Sequence, residues 1–301
     1  MQVFRDLTPS DKATAVALGY FDGVHLGHRA VLSRAAECKK HGLVPAAFTF
    51  SSTPKPKDKN SLLSTYSEKI KILEELGIEI LYILDFENLK NKSPEEFVTK
   101  IIRDIFKAKE VFCGFNYKFG KLGSGNTDTL KKLCKRENIS VGICEPVKKN
   151  GIIVSSTEIR NRLKNGEIKV ANNLLGYRFG ITGKSIEGNH IGTSMDTPTI
   201  NLKFEDGIVL PKFGVYASIV TLDKKEYIGV TNIGVKPTVS DKNSPICETW
   251  MPQFKGGNLY GETVDVRLVE FIRPEKKFNS LENLKTAIKS DGQKAIDLLK
   301  N

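Results

Sequence analysis

The sequence predicts two domains of different class: an α/β domain on a parallel sheet, then a mainly-β domain, a small antiparallel barrel with a C-terminal helix. Three observations carry this. Apolar runs of strand length alternate with helical periodicity as far as Leu175. From Tyr177 to Phe271 only strand-like runs occur, broken by Gly, Pro, Asn and Asp. Ser280–Leu299 then returns to helical spacing through Leu281, Leu284, Ile288, Ile296 and Leu299. Alternation implies right-handed crossovers between parallel strands, whereas closely spaced strands with turn signals imply a barrel or sandwich.

The elements follow in order. Thr14–Phe21 is an apolar run of strand length, and Leu26–His41 has helical spacing through Leu26, Ala30, Val31 and Ala35. Leu43–Phe50 reads as a strand, Ser67–Leu76 as a short helix closed by Gly77, and Ile78–Leu84 as another strand. Ser93-Pro94-Glu95-Glu96 opens a helix with an N-cap serine, a first-turn proline and a capping-box glutamate. Glu110–Cys113 reads as a strand, Thr127–Arg136 as a helix and Ile139–Cys144 as a strand, with a tight turn at Asn150-Gly151. Ser156–Leu163 and Ile168–Leu175 are helical. The barrel runs are Phe179–Thr182, Thr199–Leu202, Val215–Leu222, Tyr227–Thr231 and Thr263–Val269. The boundary falls near Gly176, giving domains 1–176 and 177–301. Pro54–Asn60 is the one loop expected to be mobile.

Length and composition exclude several classes. The 301 residues allow two cores, and 40% hydrophobic with 27% charged residues is a soluble globular balance. No stretch approaches the ~20 apolar residues of a membrane helix. The start Met-Gln-Val-Phe-Arg-Asp lacks the apolar core of a signal peptide, so the cytoplasm is expected. The five cysteines are scattered without C-x-x-C spacing, which favours reduced thiols over disulfides or zinc. Net charge is +11, with 29 Lys/Arg against 20 Asp/Glu in residues 1–176 and 17 against 15 in the remainder. A basic first half suits polyanionic ligands, but the lysines stand singly, so nucleotides fit better than nucleic acid.

The most informative stretch is Gly19-Tyr20-Phe21-Asp22-Gly23-Val24-His25-Leu26-Gly27-His28. Two of the chain's four histidines sit three apart, at a strand-to-helix handover dense with glycine. Glycines let backbone approach a ligand, and helix N-terminal N–H groups favour phosphate. Histidines three apart on a first turn can both donate to oxygens that gain charge as pyrophosphate leaves. The run resembles the H-x-G-H nucleotidyltransferases, specifically the adenylyltransferase half of bacterial bifunctional riboflavin kinase/FAD synthetases. The superfamily's second signature is matched by Val154-Ser155-Ser156-Thr157-Glu158-Ile159-Arg160, another phosphate cradle with hydroxyls and a guanidinium. Leu62-Leu63-Ser64-Thr65-Tyr66-Ser67-Glu68-Lys69 is similar to the family's "LLT…EK" helix entry. Gly114-Phe115-Asn116-Tyr117-Lys118-Phe119-Gly120 is similar to its G-x-(D/N)-(F/Y)-x-F-G loop. The resemblance implies a Rossmann-like fold, ATP held by Gly19, Phe21, Asp22, Gly23, His25, His28, Ser156, Thr157 and Arg160, and flavin near Asn116. One departure is Thr53, where relatives commonly carry a histidine.

A second set of motifs lies in the barrel region. Pro198-Thr199-Ile200-Asn201 resembles the P-T-x-N signature of riboflavin kinases, and Gly188-Asn189-His190-Ile191-Gly192 precedes it as a phosphate turn. Thr199 and Asn201, two apart on a strand, share one face and could bind one Mg²⁺ with ATP oxygens. Glu248 occupies the position of the family's base. Gly214-Val215-Tyr216, Gly229–Thr238, Leu259-Tyr260-Gly261 and Arg273–Phe278 also match the kinase half. Thr193 for a basic residue and Asp196 for a glycine are departures that should weaken phosphate binding, and Gln253 for an acid is a further departure. Thr199, Asn201 and Glu248 are all present, so an active kinase is expected.

The resulting expectation is an enzyme that phosphorylates riboflavin to FMN with ATP and Mg²⁺, then transfers AMP from ATP to FMN. Its partners would be riboflavin, FMN and ATP, with no nucleic acid or membrane, as a monomer or weak homo-oligomer. One alternative keeps only the adenylyltransferase and treats the barrel as degenerate. Another, of a different class, is a nucleic-acid-binding module, because H-x-G-H also occurs in class I aminoacyl-tRNA synthetases.

Overall fold

The computed structural model describes residues 1–51, 61–187, 199–235, 245–256 and 259–300. The loop Pro54–Asn60, expected to be mobile, and Thr53 lie outside the described residues. The chain forms two compact units, Met1–Asp58 with Leu62–Ser156, and Lys59–Ser61 with Thr157–Asn301.

The first unit is built on six parallel strands, β1 (Gln2–Phe4), β2 (Thr14–Leu18), β3 (Val44–Phe50), β4 (Ile80–Leu84), β5 (Ala108–Gly114) and β6 (Ser140–Cys144). All five residues of β2 and of β4 are buried, as strands covered on both faces require. Helices α1 (Leu26–Glu37), α2 (Tyr66–Glu75), α3 (Phe86–Leu89), α4 (Pro94–Glu96) and α5 (Thr127–Arg136) connect them. The capping box forms: Glu96 N–H donates to Ser93 Oγ at 3.1 Å, and Ser93 N–H to Glu96 Oε2 at 2.8 Å. From there the chain winds as a π-helix over Phe97–Ile105, a form the apolar spacing does not announce. The short edge strand β1 also escapes the sequence pattern; three residues carry no period, and pairing with β4 alone defines it. The sequence run Thr14–Phe21 stops being a strand at Leu18, because Phe21 turns to φ 52°. Asn150 and Gly151, both at positive φ, join the expected tight turn between β7 (Lys148–Lys149) and β8 (Ile152–Ile153).

Sheet order β1-β4-β3-β2-β5-β6 places β2 and β5 side by side, where the strand order reverses. The chain runs outward from β2 in one direction and from β5 in the other. The carboxyl ends of these two strands therefore flank the crevice where open α/β sheets bind ligands. Leu18 pairs with Cys113, so the segments that leave both strands start at the same level.

The second unit begins with α6 (Ser156–Asn165, from Thr157) and α7 (Ile168–Leu175). Strands β9 (Gly180–Lys184), β10 (Thr199–Lys203), β11 (Gly214–Leu222), β12 (Lys225–Val235), β13 (Pro245–Trp250) and β14 (Thr263–Arg273) form one antiparallel sheet, order β10-β13-β12-β11-β14-β9. A bridge between Ile186 and Asn201 brings its two edges together, so the sheet is a nearly closed barrel, as expected. Ile200, Leu202, Val220, Cys247, Val264 and Val266 form one core cluster. Buried hydroxyls satisfy one another: Ser218 Oγ to Thr231 Oγ1 at 2.7 Å, and Thr231 Oγ1 to Thr249 Oγ1 at 2.9 Å. Among the described residues, no helix is long and apolar enough to cross a membrane.

The C-terminal helix Leu281–Leu299 packs Ala295 against Val215, Ala217 and Val230, with Trp250 alongside. Arg273 at the end of β14 forks onto buried Asp291, Nη2 to Oδ2 at 2.7 Å. Gly292 admits the Trp250 ring; a Cβ there would lie 2.6 Å from Cζ3. Ala is worth about 1 kcal/mol over Gly in a helix, whereas overpacking costs about 1–3 kcal/mol. Gly292→Ala is therefore expected to lower stability by about 1 kcal/mol in urea denaturation; a stabilised variant would show that the ring yields freely.

Candidate functional site

Beyond β2 the backbone leaves ordinary conformations. Phe21 sits at φ 52°, Gly23 at φ 74° and Val24 at φ 34°. Left-handed backbone costs a non-glycine residue about 1–2 kcal/mol, and such strain gathers at functional sites. Surrounding contacts hold it. The Phe21 ring packs over Gly19, where a Cβ would lie 2.8 Å from Cε1. Its other edge meets the His28 ring at 5.5 Å. Three successive carbonyls are taken: that of Tyr20 by Thr49 Oγ1 at 2.7 Å and Lys69 Nζ at 3.1 Å, that of Phe21 by Val24 N–H, that of Asp22 by Ser156 Oγ at 3.1 Å. The buried Asp22 carboxylate accepts Leu63 N–H at 2.8 Å, and Gly23 N–H donates to Ser64 Oγ at 3.3 Å.

This turn delivers the two histidines. His25 is the N-cap of α1, and its Nδ1 accepts His28 N–H at 3.2 Å. An accepting Nδ1 carries no proton, so in the neutral ring Nε2 is the donor. The two imidazoles stack with centroids 3.6 Å apart and planes 16° apart. His25 is buried, whereas His28 is half-buried. The pair thus lies on the first turn of α1, where backbone N–H groups and the helix dipole favour an anion.

The other residues expected at this site are placed as follows. Ser156 reaches the Asp22 carbonyl. Thr157 and Arg160 belong to the second compact unit, where Arg160 Nε donates to the Ser61 carbonyl. Asn116 is exposed just beyond the end of β5, across the central crevice from the β2 turn. Behind it Tyr117 and Phe119 stack at 5.8 Å, and Phe119 tilts against Phe97 at 5.5 Å.

In the second unit Thr199 Oγ1 donates to Glu248 Oε1 at 2.9 Å. Strand register places Asn201 opposite Glu248 on β10, and Asn232 opposite it on β12. Asn201, Glu248 and Asn232 therefore form a row across three strands on one face, with Thr199 and Trp250 one step along. Asn201 is buried and Glu248 half-buried. A hydroxyl, an amide carbonyl and a carboxylate are hard oxygen donors, few enough to leave room for waters and phosphates, which suits Mg²⁺. Gly188, Gly192, Thr193 and Asp196 lie outside the described residues.

Two residues here carried no individual role in the sequence reading. Asn232 lay within a matched run, but only register puts it beside Glu248. Lys69 is 4% exposed and shares the inner face of α2 with Ile72 and Leu73. A lysine at an apolar position of an amphipathic helix is the signal that could have found it.

A family model described as FAD synthetase matches residues 7–158, and one described as riboflavin kinase matches residues 175–299. A bifunctional riboflavin kinase/FMN adenylyltransferase from Bacillus subtilis is 33% identical, covering 96% of this chain and 93% of its own. One from Listeria monocytogenes is 32% identical over 94% of this chain and 92% of its own, and one from Escherichia coli 29% over 92% and 90%. A crystal structure of a macrolide-efflux protein from Streptococcus pneumoniae has a TM-score of 0.87 and 28% identity, covering 97% of both chains.

Proposed function

The chain belongs to the bifunctional riboflavin kinase/FMN adenylyltransferase family, and from that premise we propose how its two sites divide the work. It makes FMN from riboflavin and ATP, then FAD from FMN and ATP. We assign adenylyl transfer to residues 1–176 and phosphorylation to residues 177–301. The observation that supports the first assignment most is the placement of the histidine turn and Asn116 beyond the ends of the adjacent strands β2 and β5.

For adenylyl transfer, ATP lies with its phosphates at the N-terminus of α1. Gly19, Phe21, Asp22 and Gly23 shape the turn, and His25 and His28 donate to the phosphates. Asn116 meets the flavin nucleotide. The phosphate oxygen of FMN attacks the α-phosphorus, and the bond to the β-phosphate breaks. Charge then accumulates on the departing pyrophosphate, and the imidazole donors stabilise it. No protein nucleophile is needed; the work is orientation and charge. Ser156, Thr157 and Arg160 are assigned to ATP on their match to the family's second signature.

For phosphorylation, Glu248 accepts the proton of the primary hydroxyl of riboflavin as its oxygen attacks the γ-phosphorus of ATP. Thr199, already on the Glu248 carboxylate, fixes that carboxylate's direction. Thr199 and Asn201 would hold Mg²⁺, which would supply positive charge beside the phosphates. Gly188 and Gly192 are assigned to the ATP phosphates. Both reactions draw on ATP, and we place the enzyme in the cytoplasm.

Chromatography of the products from riboflavin, ATP and Mg²⁺ tests both halves at once. FMN followed by FAD is expected. Conversion of supplied FMN to FAD, with none made from riboflavin, would leave only the adenylyltransferase. Thr199→Ala is expected to raise the Mg²⁺ concentration needed for half-maximal FMN formation; an unchanged requirement removes Thr199 from the metal site.

A further inference from the structure

The segment Leu63–Lys69 contributes three separate hydrogen bonds to the histidine turn. Leu63 N–H donates to the Asp22 carboxylate at 2.8 Å, Ser64 Oγ accepts Gly23 N–H at 3.3 Å, and Lys69 Nζ donates to the Tyr20 carbonyl at 3.1 Å. The last is the most unusual. Lys69 is 4% exposed, and its ammonium lies 4.6 Å from the Tyr20 ring centroid and 5.2 Å from that of Tyr66. A buried lysine survives in a core only when something holds its charge. Here a carbonyl, two aromatic faces and the field of Asp22 do so.

The Tyr20 carbonyl belongs to the peptide that leads into Phe21, the first left-handed residue of the turn. Its orientation sets the direction of everything after it, including the His25 cap and the His28 ring. Thr49 holds the same carbonyl from β3, but a hydroxyl is a neutral partner. The ammonium adds a charge-assisted bond, roughly twice as strong as a neutral one.

We propose that Lys69 is a positioning residue for adenylyl transfer: its buried ammonium anchors the Tyr20 carbonyl and so keeps the His25/His28 pair aimed at the phosphates of ATP. The inference rests on the adenylyltransferase reading. In this role Lys69 acts through the backbone of the turn, at the Tyr20 carbonyl. Burial pushes its ammonium down from 10.5 to about 8, the Asp22 carboxylate pulling the other way. The anchor is therefore charged at neutral pH and fades as pH rises through 8.

The test is the pH profile of kcat/KM for ATP in FAD formation from supplied FMN, which reports groups of the free enzyme. Wild type is expected to fall on the alkaline side with an apparent pKa near 8. Lys69→Met should be slower at pH 7 by about tenfold to a hundredfold, the cost of a slight misplacement of catalytic groups. Lys69→Arg, charged throughout, should recover part of that loss and stay level to pH 9. A wild-type profile that is flat from pH 7 to 9 overturns the proposal, whatever the variants do. So does Lys69→Met within twofold of wild type, or a Lys69→Arg enzyme that keeps the fall near pH 8. Wild-type protein that forms no FAD from FMN and ATP would instead sink the adenylyltransferase reading.

Discussion

His28→Ala is expected to depress FAD formation by about a hundred- to a thousandfold while FMN formation stays near wild type. The first figure is the size of effect seen when one preorganised donor to a developing charge is removed. In the proposed assignment the histidine turn supplies such donors on the first turn of α1, its strained backbone held at the Tyr20 carbonyl by Thr49 and Lys69. The second expectation follows from the division into two compact units, each with its own core. His28 lies in the first, while Thr199, Asn201 and Glu248 lie in the second. Separate assays of riboflavin phosphorylation and FMN adenylylation read both numbers. Equal loss of the two activities would show the assignment of reactions to domains to be wrong.

Glu248→Gln gives the converse pattern. FMN formation from riboflavin should fall by about a hundredfold or more, the usual contribution of a positioned base. FAD formation from supplied FMN should persist. Glutamine keeps the size and can still accept from Thr199 Oγ1, so the row with Asn201 and Asn232 survives and only the proton acceptor is lost. If FMN formation is unchanged, Glu248 is not the base, and the hydroxyl proton goes elsewhere.

Most of the fold could be read from the chain because its signals are local. β2 and β4 are continuous apolar runs, buried from end to end, and strands of a covered parallel sheet have no other pattern available. Ser93 and Glu96 announce a helix start within four residues and form the capping box they promise. β1 and the π-helical winding of Phe97–Ile105 could not be read this way. Three edge residues become a strand only when β4 is beside them, and helix winding is settled by packing around Phe97, Val98, Ile101 and Ile102.

The sites divide along the same line. His25, His28 and the Ser156–Arg160 segment are legible as motifs because the residues of each stand close together in sequence. The mount beneath them is not. Lys69 sits 49 positions from the Tyr20 carbonyl it holds, and its burial is invisible until α2 lies against the turn. Asn232 is in the same case, since strand pairing alone makes it the neighbour of Glu248.

The sequence by itself determined the class of each half, a parallel α/β unit and then a barrel, and offered the candidate residues of each site: the histidine turn in the first, Thr199, Asn201 and Glu248 in the second. The tertiary structure alone decided which strand ends lie side by side, which carbonyls of the turn are engaged, and that Lys69 and Asn232 lie where they do. The physical reason is range. Helix caps, apolar runs and phosphate turns act over a few residues, whereas register and burial are agreements between segments far apart in the chain.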